Sequence, residues 1–106
     1  MKKPVKVKLF RPKKFKIHNH DWKIKYVKDL FKTHNAYGLT IFDQSLILIQ
    51  LPTKEFVVTE AVILNVLLHE FSHSVLRAMG REDLNQDEDF VDGFALIASQ
   101  ILSTLK

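Results

Sequence analysis

The stretch His69-Glu70-Phe71-Ser72-His73 constrains this chain more than any other. Two histidines four apart lie on one face of a helix, about one turn from each other, where both rings can be aimed at one metal ion. The carboxylate of Glu70 then lies where it can take a proton from a water activated by that metal. The flanks agree with a helix. From Val62 to Met79 there is neither proline nor glycine, and Gly80 is a natural terminator. Residues 61–68 are apolar except for Asn65, so the helix is expected to be buried. Two histidines and a glutamate at the end of a buried helix need partners, because burying polar groups without them is costly. A metal supplies one. The plainer alternative is a solvated helix end carrying two ordinary histidines.

The rest of the composition narrows the chemistry. The chain has 106 residues, enough for one domain with one modest core. With 46% apolar and 26% charged residues, it has the balance of a globular protein. The absence of cysteine excludes a disulfide scaffold and any thiolate zinc site, and it fits a reducing compartment. No apolar segment follows the N-terminal lysines, and no apolar run approaches the roughly 18 residues of a membrane span. A cytoplasmic location without a membrane partner is therefore expected.

The net charge of +4 is unevenly spread. Residues 1–32 hold eleven lysines and Arg11 against Asp21 and Asp29, and the remainder is acidic. Phe10, Phe15, Trp22, Tyr26 and Phe31 are interleaved with these lysines. Such a pattern suits a nucleic-acid surface. It equally suits strands with one buried and one solvated face, which is the expectation preferred here.

Along the chain, residues 1–14 read as a basic lead-in, partly flexible or an edge strand through Val5, Val7 and Leu9. Phe15, Ile17 and His18 begin an extended piece, Asn19-His20-Asp21 suit a turn, and Trp22, Ile24 and Tyr26 alternate as a half-buried strand. Residues 27–34 suit either a strand end or a helical turn. Strands follow at 39–42 and 46–51, the latter apolar enough to be central. Pro52 ends it, and either Thr53 or Thr59 can cap a helix running to Met79. Residues 80–86 read as a polar connection. A last helix spans about 87–105, with acidic residues in its first turn and an apolar stripe of Val91, Phe94, Ala95, Ala98, Ile101, Leu102 and Leu105. The expected fold class is α+β: one domain over 1–106, with a small N-terminal sheet packed on two C-terminal helices.

A catalytic zinc usually has three protein ligands and one open position. No histidine follows His73, which rules out a pattern with a third histidine a few residues downstream, and the candidates for the third ligand are Asp87, Glu88, Asp89 and Asp92. Asp89 points nearly opposite the stripe, and Asp87 is also a good N-cap. Glu88 and Asp92 stand four apart on one flank. The metal set is therefore read as His69, His73 and Glu88, with Asp92 holding the free nitrogen of a liganding histidine.

With His69, Glu70, His73 and the segment Glu88-Asp89-Phe90-Val91-Asp92 in place, the chain resembles the small phage and prophage proteins of the zincin-like metallopeptidase family. There an HExxH helix is followed by an amphipathic helix that opens with acidic residues. The resemblance covers residues 15–106. More distantly, the chain is similar to the compact peptidase domains that cleave phage repressors and to the minimal cores of gluzincins. In gluzincins the second helix supplies a glutamate ligand, with an aspartate one turn later supporting a histidine. The resemblance implies a zincin-like minimal domain, zinc as cofactor, and hydrolysis of a peptide or protein substrate with Glu70 as general base. An edge strand, for which residues 46–51 are the candidate, would align an extended peptide. Tyr37, His34 and His20 are the remaining candidates for an oxyanion partner. The alternative function is a non-catalytic, metal-stabilised binding module whose basic sheet contacts nucleic acid or an acidic protein.

Overall fold

The computed structural model describes residues 10–106. The expected strand through Val5, Val7 and Leu9 lies outside the described residues. From there on, the alternating pattern produces strands β1 (Lys14–Ile17) and β2 (His20–Val27), a short helix α1 (Leu30–His34), and strands β3 (Gly38–Ile41) and β4 (Leu46–Gln50). The helices α2 (Glu60–Ala78), α3 (Glu82–Asn85) and α4 (Glu88–Thr104) complete the order. The result is an α+β fold with one mixed sheet of four strands in the order β1-β2-β4-β3.

β1 and β2 form an antiparallel hairpin with Ile17 opposite His20. Its turn is the pair His18–Asn19, both at positive φ (52° and 62°). The expected turn at 19–21 is thus displaced: two-residue hairpins need left-handed backbone at both central residues, so His20 and Asp21 are freed for the strand. β4 pairs parallel with β2 and antiparallel with β3. It is central, as its apolar sequence suggests, and for that reason it cannot be the edge that aligns a peptide. Among the described strands the edges are β1 and β3.

The register places Phe15, Trp22, Ile24, Ile47 and Ile49 on one sheet face, where α2 covers them with Ile63 and Leu67. Ile47, Ile49 and Leu67 are fully buried. The opposite face carries Lys14, Lys16, Lys23 and Lys25, so the lysines of this region are on the solvated side of strands whose other side is core. Gln50 is buried on β4 without cost in lost hydrogen bonds. Its amide donates to Lys28 O and Leu51 O, and its carbonyl accepts from Phe31 N.

Helix α2 starts at the later of the two expected caps. Thr59 Oγ1 accepts from Val62 N at 3.2 Å, whereas Thr53 caps only a turn, through Phe56 N. Arg11 forms a two-point ion pair with Glu60 in the first turn. At the other end Gly80, with φ +73°, closes the helix. Arg81 N donates to Leu76 O and Gly80 N to Arg77 O, the paired bonds of a glycine C-cap.

The polar connection at 80–86 contains α3, one turn of helix that brings Asn85 back against α2. Asp87 then caps α4 by accepting from Phe90 N. Helix α4 buries Val91, Ala95 and Ser99, not the larger residues of its stripe; Phe94, Ile101, Leu102 and Leu105 face solvent.

Candidate metal centre

Helix periodicity stacks His69 and His73 on the flank of α2 that faces the first turn of α4, and the short α3 link sets how closely those two elements approach. His69 Nε2 and His73 Nε2 are 3.2 Å apart. Glu88 reaches both, with Oε2 at 3.3 Å from His69 Nε2 and Oε1 at 3.4 Å from His73 Nε2. Adjacent donors around a tetrahedral zinc, with bonds of about 2.0–2.1 Å, lie about 3.3 Å apart. The two histidine nitrogens already have that spacing, Glu88 reaches each of them with a different oxygen, and one ligand atom from each of the three residues lies within 4.8 Å of the other two.

Each imidazole is held from behind. His69 Nδ1 lies 2.9 Å from Asp92 Oδ1, and His73 Nδ1 lies 2.6 Å from Asn85 Oδ1. A carboxylate and an amide oxygen can only accept, so both rings donate from Nδ1. In the neutral rings this leaves both Nε2 lone pairs turned toward each other and toward the Glu88 carboxylate. Three electron-pair donors facing one point repel unless a cation or a proton lies among them. The donor set of two imidazoles and one carboxylate fits zinc.

Glu70 points to the other side of the histidine pair, toward β3. It is 7% exposed. Its Oε1 accepts from Thr40 Oγ1 at 2.8 Å. Burial pushes the carboxyl above its ordinary range, against the Thr40 hydrogen bond and the charges of His69 and His73, while the Glu88 carboxylate adds to the rise. Gly38 makes the approach of β3 to α2 possible. A Cβ there would stand 2.6 Å from Val66 Cγ1 and 2.9 Å from both Cγ and Oε2 of Glu70. The face of β3 that carries Gly38 and Thr40 therefore lies against the buried Glu70 carboxylate.

Four of the five residues expected at the site meet directly, His69, His73, Glu88 and Asp92, while the Glu70 carboxylate is turned to Thr40 of β3. Asp87 serves as cap and Asp89 is exposed, so neither competes with Glu88. The other expected contributors have different partners. Tyr37 stacks on Phe31, His34 Nδ1 meets Thr33 Oγ1, and His20 pairs with Ser45. Trp22 and Tyr26 belong to the sheet's packed face, with the Tyr26 hydroxyl donating to Pro12 O.

Three residues were not foreseen. Asn85 stood in a segment read as polar connection. Strand alternation puts Gly38 and Thr40 on one side of β3, but nothing in the sequence says that this side meets Glu70.

Of the known protein families, curated proteins and solved structures compared with this chain, none matches it.

Proposed function

We propose that this chain is a minimal zincin-like metallopeptidase, in which His69, His73 and Glu88 hold zinc and Glu70 is the general base of peptide-bond hydrolysis. The observation that carries the reading is the pair of histidine Nε2 atoms 3.2 Å apart, reached by the two Glu88 oxygens at 3.3 and 3.4 Å, with each histidine fixed from behind by an oxygen acceptor. When bound, the ion would lower the pKa of a water and polarise the substrate carbonyl. The chain's own residues do the remainder. Asp92 and Asn85 hold the ring orientations that would direct both Nε2 atoms to the ion. Thr40 fixes one oxygen of Glu70 and leaves the other to take the proton of the attacking water and pass it to the leaving nitrogen. An extended peptide would pair with the edge of β3 and not with β4, since β3 has a strand on one side only and its face packs on Glu70. Glu88 and Asp92 are exposed, so the donor side of the site is open to a substrate.

The test is hydrolysis of a broad peptide library by the zinc-loaded chain, beside Glu70→Gln. The proposal expects cleavage that falls ~10²-fold or more in Glu70→Gln while zinc content is unchanged. Equal cleavage by both proteins would remove Glu70 as the base.

A second reading is supported by the solvated sheet face with Lys14, Lys16, Lys23 and Lys25. On that reading the metal stabilises a module that binds nucleic acid or an acidic protein. Steep loss of nucleic-acid affinity with salt, in a chain that binds zinc but cleaves nothing, would favour it.

A further inference from the structure

Helix α4 turns its large apolar residues away from the protein. Phe90, Phe94, Ile97 and Ile101 are 40%, 55%, 60% and 55% exposed. Their spacing of four, three and four is that of a two-heptad helix–helix seam. Beside them, Val75 of α2 and Met79 at its C-cap are also exposed, and they line one apolar groove of about 280 Å³ with Phe90 and Phe94. This face lies across the α2–α4 contact from Glu88 and Asp92. It does not belong to the metal centre.

We propose that this face is the contact between two copies of the chain, associated about a two-fold axis through antiparallel α4 helices. The exposed apolar area of the six residues is roughly 600 Å² per copy, at the upper end of what a monomer leaves bare and near the lower limit of a stable two-chain interface. Charge selects the same partner. From Gly93 to Thr104 the helix contains no charged residue, in a chain where 26% of residues are charged. Two such faces meet without placing like charges together, although the whole chain carries +4. An acidic or basic partner would find nothing on the seam to pair with. Antiparallel packing is favoured over parallel because it separates the two acidic helix starts, Asp87 to Asp89, and opposes the helix dipoles. It also sets each Phe94 against the partner's Ile97, and each Phe90 against the partner's Ile101, so that every layer holds one aromatic and one branched side chain.

The experiment is sedimentation equilibrium of the full chain from about 1 to about 300 µM, the range in which an interface of this size should assemble. The wild type is expected to reach the mass of two chains. Phe94→Lys and Ile97→Glu should each weaken association at least ~30-fold, with helix content and zinc binding unchanged because both side chains face solvent. Mixing the two variants should restore association, since the antiparallel seam sets Lys against Glu. A wild type that stays monomeric throughout would overturn the proposal, as would association that survives Ile97→Glu. A monomer that binds neutral phosphatidylcholine vesicles through Phe94 and Ile97 would also overturn it, by giving the face to a lipid surface. So would a monomer that dimerises only after deletion of residues 1–9, which would show that segment covering the face.

Discussion

His73 and Asn85 are joined Nδ1 to Oδ1 at 2.6 Å, across the turn between α2 and α4. Asn85 is buried, and its amide nitrogen is turned to the Glu82 carboxylate at 3.4–3.5 Å, which keeps the carbonyl oxygen aimed at the imidazole. The contact fixes which nitrogen of His73 carries the proton, and so which one can bind a metal. Asn85→Leu removes the acceptor while keeping side-chain volume. Zinc affinity is expected to fall ~10- to 100-fold, the usual cost of losing such a partner. Asn85→Asp retains an acceptor at the same place and should recover most of the affinity. A competitive chelator titration of the three proteins checks this, and a loss of similar size in both variants would show that Asn85 matters only for packing.

Gly38 occupies the closest approach of β3 to α2. Gly38→Ala places a methyl 2.6 Å from Val66 Cγ1 and 2.9 Å from Glu70 Cγ, and neither atom is the far end of a flexible chain. Overpacking of this kind costs about 1–3 kcal/mol. Denaturant unfolding should show that loss, and peptide cleavage should fall further than stability alone explains, because Glu70 must shift.

Glu70 gives the metal-free protein a pH dependence whose sign is fixed. Burial holds its folded-state pKa above the ordinary glutamate value of 4.5. Between those two values the folded state keeps a proton that the unfolded state has lost. The contribution of Glu70 to stability is thus full below pH 4.5 and is lost as the pH rises through the folded-state pKa. In the presence of chelator, the thermal midpoint of Glu70→Gln should therefore hold up better than that of the wild type as pH is raised from 4.5 toward neutrality. Parallel midpoint curves for the two proteins would contradict the burial argument.

Much of this site was legible because it follows helix periodicity. His69, His73, Glu88 and Asp92 each stand four residues from a partner on the same helix, and that spacing survives any packing arrangement. Asn85 was not legible, because its role depends on one turn of helix inside a segment of polar residues. Thr40 and Gly38 depend on which strand becomes the edge beside α2, a matter of topology. The strand at 46–51 illustrates the limit: its apolar run correctly indicated a central position, which is incompatible with using it as an edge. The stripe on α4 misled for a different reason. Its apolar arc is wider than the contact with α2, so only part of it is buried there. Val91, Ala95 and Ser99 are the part that faces inward, and rolling α4 to bury Phe94 would carry Glu88 and Asp92 away from the histidines.

The claim that His69, His73 and Glu88 form one zinc site is tested most directly by competitive zinc titration of the wild type beside Glu88→Ala. Glu88 is exposed and makes no other described contact, so its removal should leave the fold intact. One ion per chain is expected in the wild type, with zinc binding raising the thermal midpoint because the assembled site exists only in the folded chain. Glu88→Ala should bind at least ~10-fold more weakly, with a smaller midpoint shift at equal zinc. Equal affinity and equal stabilisation in the two proteins would contradict the account.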